Sequence, residues 1–158
     1  MNVDDGTTLR RATLIDAPTI AKHRRSMFRD MGHRDEAALD GMMTRFLPWL
    51  EAKMQAGEYL AWLAVTTDNS VVAGAGLWLM DWPPHMLSSS SRRGNIVNVY
   101  TEAEFRRQGL ARRLMRVVMD WCKANQIDLV VLHASDEGRP LYESLGFTAG
   151  NEMRIKLS

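Results

Sequence analysis

The residues with the most chemistry in a short span are Arg106, Arg107, Gln108, Gly109, Leu110, Ala111 and Arg112. Three guanidinium groups, one amide and one glycine fall where a strand pattern gives way to a helix pattern. The first N–H groups of a helix have no partner inside it and carry a partial positive charge. A phosphate or pyrophosphate, with several oxygens, can satisfy them. Gly109 lets a ligand approach without a Cβ in the way, and Ala111 keeps the next position small. Arg106, Arg107 and Arg112 supply fork-shaped cationic donors for phosphate oxygens. The competing reading is an ordinary strand-to-helix turn with solvated arginines. The spacing alone is weak evidence. Its place, after a buried strand and opening an amphipathic helix, strengthens it.

The flanking elements are legible. Ile96 to Tyr100 is β-branched and aromatic apart from Asn98, which predicts a strand. Leu110, Leu114, Val117, Val118 and Trp121 form one helical stripe, with Arg112, Arg113, Arg116 and Lys123 largely opposite. Upstream, Met1 to Gly6 reads as a tail and Thr8 to Thr13 as a first strand. Asp16 is the expected N-cap of a helix carrying Pro18, Ala17, Ile20, Met27 and Met31, ending at Gly32. A second helix is expected from near Asp35 to about Gly57, kinked or broken at Pro48. Its methionines read as core and cleft lining rather than as a metal site. Tyr59 to Thr66 and Val71 to Met80 form a hairpin about Asp68-Asn69-Ser70, with Gly74 and Gly76 predicting close packing or a bend. Asp81 to Gly94 is either a flap bringing Trp82 and His85 to a ligand or a mobile loop. Asp128 to His133 reads as a strand, Asp136 to Leu145 as a short helix closed by Gly146, and Glu152 to Leu157 as a last strand. That order predicts a mixed α/β sheet with helices on both faces.

Composition excludes several classes. With 158 residues, the length is that of one domain with a real core. The 46% hydrophobic content is that of a globular chain. A net charge of +1, from 20 basic and 19 acidic residues, gives no reason to expect nucleic-acid or membrane binding. The single cysteine, Cys122, permits no internal disulfide. No signal peptide or membrane-spanning run is expected, and cytoplasm is the default.

Arg106 to Ala111, RRQGLA, resembles the pyrophosphate-binding signature of the GCN5-related N-acetyltransferase family, and Leu141 to Phe147, LYESLGF, resembles its late tyrosine motif. The order and spacing of both agree, and the expected elements cover nearly the whole chain. The resemblance implies one domain over residues 1–158. Its sheet would be mixed and mostly antiparallel, of six to seven strands, with a splayed central strand and helices on both faces. It implies acetyl-CoA as cosubstrate, no metal, and a primary amine, on a small molecule or peptide, as acceptor; a homodimer stays open. It puts Val99, Tyr100 and Thr101 where the central strand bulges and frees main-chain groups for the acyl-CoA. Ser135 stands where many relatives carry a cofactor-contacting asparagine, and Gly138 where an alanine is frequent. The turn from Met31 to Asp35 would border the acceptor cleft.

Acyl transfer needs a neutral amine, a stabilised carbonyl oxygen and a proton for the departing thiolate. Tyr142 is the candidate acid, with a reference pKa of about 10; the alternative is a packed phenol bonded to a backbone carbonyl. A backbone N–H at Val99 to Thr101 would polarise the carbonyl. No base is evident. Asn95, Val97 and Val99 are expected on one face of the strand and Ile96, Asn98 and Tyr100 on the other. His85 and His133 read as structural. A water relay or an acceptor amine of low pKa would remove the need. The alternative to an enzyme is a non-catalytic acyl-CoA-binding module of the same fold. A nucleotide-binding domain is disfavoured by the lack of a Gly-Lys-Ser/Thr loop.

Overall fold

Residues 59–65 alternate between two apolar clusters. Leu60, Trp62 and Ala64 belong to one, with Leu110, Leu114 and Val118. Tyr59, Ala61, Leu63 and Val65 belong to the other, with Ala17, Ile20 and Leu50. A strand sends successive side chains to opposite faces, so this sheet is covered on both sides. The computed structural model describes residues 6–158, and the first five residues of the expected tail lie outside the described residues.

The elements are β1 (Thr8–Arg11), α1 (Ala17–Asp30), α2 (Glu36–Gln55), β2 (Tyr59–Val65), β3 (Val71–Asp81), β4 (Arg92–Thr101), α3 (Leu110–Ala124), β5 (Val130–Leu132) and α4 (Arg139–Ser144). Sheet order is β1-β2-β3-β4-β5. The first three pairings are antiparallel and β4–β5 is parallel. α1 and α2 cover one face and α3 the other. Among the described residues, no helix is long and apolar enough to cross a membrane.

The mixed sheet agrees with expectation, but it has five strands among the described residues, not six to seven. Residues 152–157 form no strand, and Met153, Ile155 and Leu157 are 92%, 79% and 79% exposed. Alternation supplies strand propensity, but a strand also needs a ladder partner. α2 runs through Pro48 unbroken, with Leu39 and Leu50 buried on either side. Asp16 precedes α1, but its carboxylate does not cap that helix. It takes a two-pronged bond from Arg10, both arms 2.8 Å, and the N–H of Thr13.

The β3–β4 connection is shorter than expected, because Asp81 pairs with Arg92. The loop between them is tied down. Trp82 N donates to Ser91 O, and the Asp128 carboxylate accepts from the Ser88 hydroxyl and from Ser89 N. The Arg93 guanidinium lies 3.5 Å over the Trp82 ring. Gly76 is explained by the chain beside it: a Cβ there would overlap the Tyr59 hydroxyl.

Candidate active site

The site forms where β4 loses regularity. Gly76 pairs with Val97, and Gly74 with Tyr100, so Asn98 and Val99 together oppose Ala75. This is a β-bulge. Asn98 holds φ at +57°, a left-handed conformation that asparagine tolerates better than most residues. The bulge resets the alternation. Val97 faces the α1–α2 cluster, Asn98 bonds to residues of that same face, and Val99 joins Ile96 in the α3 cluster. The expected grouping of Asn95, Val97 and Val99 on one face is therefore corrected. An extra residue cannot be seen in a period-two pattern.

On its other edge β4 pairs with β5 only through Gly94, Asn95 and Ile96. From Val97 onward it has no strand partner on that side among the described residues. The two strands part, and no ladder to β5 runs along Val99, Tyr100 and Thr101.

Beyond this opening lies the N-terminus of α3. Gly109 is its N-cap residue, at φ +80°, and no side chain caps the helix. Space around Gly109 is open. Its backbone angle favours glycine, and no protein neighbour crowds it. The arginines divide. Arg106 donates from Nε to Thr101 O at 2.9 Å and from Nη2 to Asp30 at 2.6 Å, fastening the end of β4 to α1. Arg112 donates to the Ser144 hydroxyl at 2.9 Å. Arg107 and Gln108 are exposed, Ala111 is half-buried, and the Leu110 side chain is core.

Tyr142 packs on the α3-side cluster, which Val99 also borders. Its hydroxyl makes no hydrogen bond among the described residues, and burial raises its pKa above the ordinary phenol range. A Cβ on Gly138 would come within 2.9 Å of the Tyr142 ring, which accounts for glycine there. The Ser135 hydroxyl accepts from Gly138 N at 3.1 Å and starts α4.

Across β4 lies a polar group that the sequence reading missed. Asn98 Nδ2 donates to the Tyr59 hydroxyl at 2.8 Å, and Arg24 Nη1 donates to Asn98 Oδ1 at 2.7 Å. Burial pushes Tyr59 up to about 12. His23, 3% exposed, stands with Tyr59 and Asn98 around a cavity of about 10 Å³, room for about one water. Burial pushes His23 down to about 4. The Glu102 carboxylate lies 3.7 Å from Nε2 and favours the charged form, but it is 42% exposed and well hydrated, so burial dominates. The signal for His23 was its position three after Ile20 and four before Met27, on the apolar stripe, inside a KHRR run that reads as solvated. The two histidines expected to be structural are not packed. His133 is 86% exposed, and His85 accepts from Leu87 N within its loop.

Known acetyltransferases share this fold. The family model described as the acetyltransferase (GNAT) family matches residues 19–147. A GCN5-related N-acetyltransferase from Ralstonia eutropha is 31% identical, with a TM-score of 0.90 over 96% of this chain and 99% of that one. A predicted acetyltransferase from Clostridium acetobutylicum, solved with acetyl-CoA, is 26% identical, with a TM-score of 0.83 over 96% of each chain. An aminoglycoside acetyltransferase from an uncultured soil sample, solved with sisomicin, shares the fold at 13% identity and a TM-score of 0.68, over 99% of this chain and 97% of that one. No curated protein sequence matches.

Proposed function

The chain belongs to the GCN5-related N-acetyltransferase (GNAT) family, and from that premise we propose that it transfers an acetyl group from acetyl-CoA directly to a primary amine. The observation that carries this reading is the parting of β4 from β5 beside an uncapped helix N-terminus. The N–H groups of Gly109, Leu110, Ala111 and Arg112 take the diphosphate oxygens, and Arg107 and Arg112 add charge. Arg106 and Ser135, bonded within the chain, hold the strand end and α4 in position. The main chain of Val99, Tyr100 and Thr101 takes the amide-bearing arm of the cosubstrate as a strand-like partner. An N–H at the bulge polarises the thioester carbonyl.

Tyr142 returns a proton to the departing thiolate. Its phenol keeps that proton throughout the neutral range, and burial strengthens the hold. A thiol titrates lower, at about 8.5 against about 10, so this transfer alone is uphill by about 2 kcal/mol. It is driven by the amine nitrogen, which sheds a proton readily once bonded to the carbonyl carbon. The C–N bond forms, the C–S bond breaks, the nitrogen's proton leaves to water, and Tyr142 is reprotonated from water. His23 is too weak a base to deprotonate an ammonium at neutral pH. Water or an amine of low pKa fills that need.

The lack of a strong base beside the bulge, among the described residues, favours a second reading: an acyl-CoA-binding module without turnover. Free thiol is followed after mixing the protein with acetyl-CoA and a panel of primary amines. Amine-dependent release is the expected result. Saturable coenzyme A binding with no release from any amine selects the module.

A further inference from the structure

Neighbouring arginines show how this chain treats a guanidinium. Arg25 pairs with Glu36 and Asp40, and Arg29 with Glu36. Arg10 pairs with Asp16, and Arg106 with Asp30. Arg24, half-buried between these partnered neighbours, has no ion pair among the described residues. It is sandwiched between the rings of Phe28 and Phe46, at 4.9 and 4.7 Å. Nη1 bonds to a neutral amide oxygen, that of Asn98. Nε is sealed from solvent without a partner. Nη2 is neither bonded nor sealed. The surroundings are aromatic, with Trp49 stacked on Phe46 and set edge-on to both Tyr59 and Trp78.

A cation held among rings interacts strongly with any anion that reaches it, because water is too scarce to screen the pair. Leaving it without a counter-charge is costly, and nearby carboxylates are spent on more exposed arginines. Its one polar contact is to Asn98, the residue at which β4 bulges, next in sequence to Val99. The open donor is a single nitrogen, Nη2. Its other close polar neighbours, Asn98 and Tyr59, are neutral. One monocation balances a carboxylate better than a doubly charged phosphate.

We propose that Arg24 anchors a carboxylate carried by the amine acceptor, so that the acceptors of this protein are amino-acid-like. The proposal rests on the acetyl-transfer reading above. Arg24 binds the acceptor's carboxylate and turns its amine toward the bulge, while the aromatic rings flank the carbon skeleton.

The test compares free amino acids with their carboxamides as acetyl acceptors, using wild type, Arg24→Gln and Asn98→Asp. The second variant keeps the guanidinium but gives it a carboxylate from inside, and the Tyr59 hydroxyl can donate to that carboxylate. It therefore guards against Arg24→Gln simply failing to fold. Wild type should favour the carboxylate form by about tenfold or more in kcat/KM. In both variants the ratio should fall by about tenfold or more from its wild-type value, with coenzyme A affinity kept. A preference that survives both changes, or turnover only with amines lacking a carboxylate, overturns the proposal. If no amine releases thiol, the acetyl-transfer reading has failed and Arg24 is judged by binding. Free amino acids should then raise the Tm of the coenzyme A complex where carboxamides do not, and Asn98→Asp should abolish the rise. No such rise in wild type overturns the carboxylate site.

Discussion

At the mouth of α3 the proposed binding groups are main-chain amides of consecutive residues, 109–112, whereas across β4 the polar groups are side chains of Arg24, Tyr59 and Asn98, drawn from α1, β2 and β4. The first is local. It needs a glycine at φ +80° and a helix to follow, and most side chains there can change without removing an N–H. The second is tertiary. Gly76 must make room for Tyr59, Tyr59 must reach Asn98, and Asn98 must sit in a bulge to meet Arg24. Substitutions should therefore act on coenzyme A affinity at the mouth, and on folding and acceptor preference in the buried group.

The largest effect expected lies outside both, at the proton donor. Tyr142→Phe should lower turnover by about a hundredfold or more while coenzyme A affinity stays within about twofold. Single-turnover thiol release with a parallel binding titration checks it. Unchanged turnover would remove Tyr142 from the chemistry.

Acid stability sharpens the tertiary side. His23 is neutral in the folded chain, with a pKa of about 4, and ordinary when unfolded. The unfolded chain thus binds the extra proton first as pH falls. Full stabilisation is present above about pH 6.5 and is lost as pH drops toward about 4, by about 3 kcal/mol in all. Urea unfolding at pH 7 and 4.5 should show a smaller acid loss in His23→Gln than in wild type. Equal losses would mean that His23 titrates normally in place.

Tyr59→Phe should destabilise by about 2 kcal/mol, since it leaves a buried Asn98 N–H without an acceptor. Coenzyme A affinity, measured at a temperature where the variant is folded, should not follow. If affinity falls with stability, the two regions are not separate.

Gly109 gives the smallest change and breaks the comparison most directly. Gly109→Ala meets no neighbour and should cost only about 1 kcal/mol, through its backbone angle. Gly109→Glu adds a negative charge at the helix mouth and should weaken coenzyme A about tenfold. Calorimetry distinguishes them. Equal affinity in the two variants would move the diphosphate elsewhere.

The same division decided what could be read in advance. The junction from Arg106 to Arg112 is contiguous, so its glycine, its arginines and the helix behind it were visible as a motif. The hairpin, α1 and α3 followed from their periods. The roles within the junction were less visible. Asp30 and Thr101 occupy Arg106, and only the fold brings them there. Asn98 looked like a flaw in a strand because a bulge shifts the alternation without marking the sequence. His23 and Arg24 were passed over because the charged run from Lys22 to Arg25 hides their share of the apolar face. Residues 152–157 alternate well, yet the ladder that would make them a strand depends on an edge that the pattern does not encode.

That C-terminal stretch has a consequence for handling the protein. Met153, Ile155 and Leu157 stand largely in water, separated by Glu152, Arg154 and Lys156. Interleaved charge of this kind keeps such a segment hydrated and opposes its adhesion to another. Replacing Arg154 and Lys156 with apolar residues would leave a continuous greasy run in water, and concentrated samples should then clump sooner.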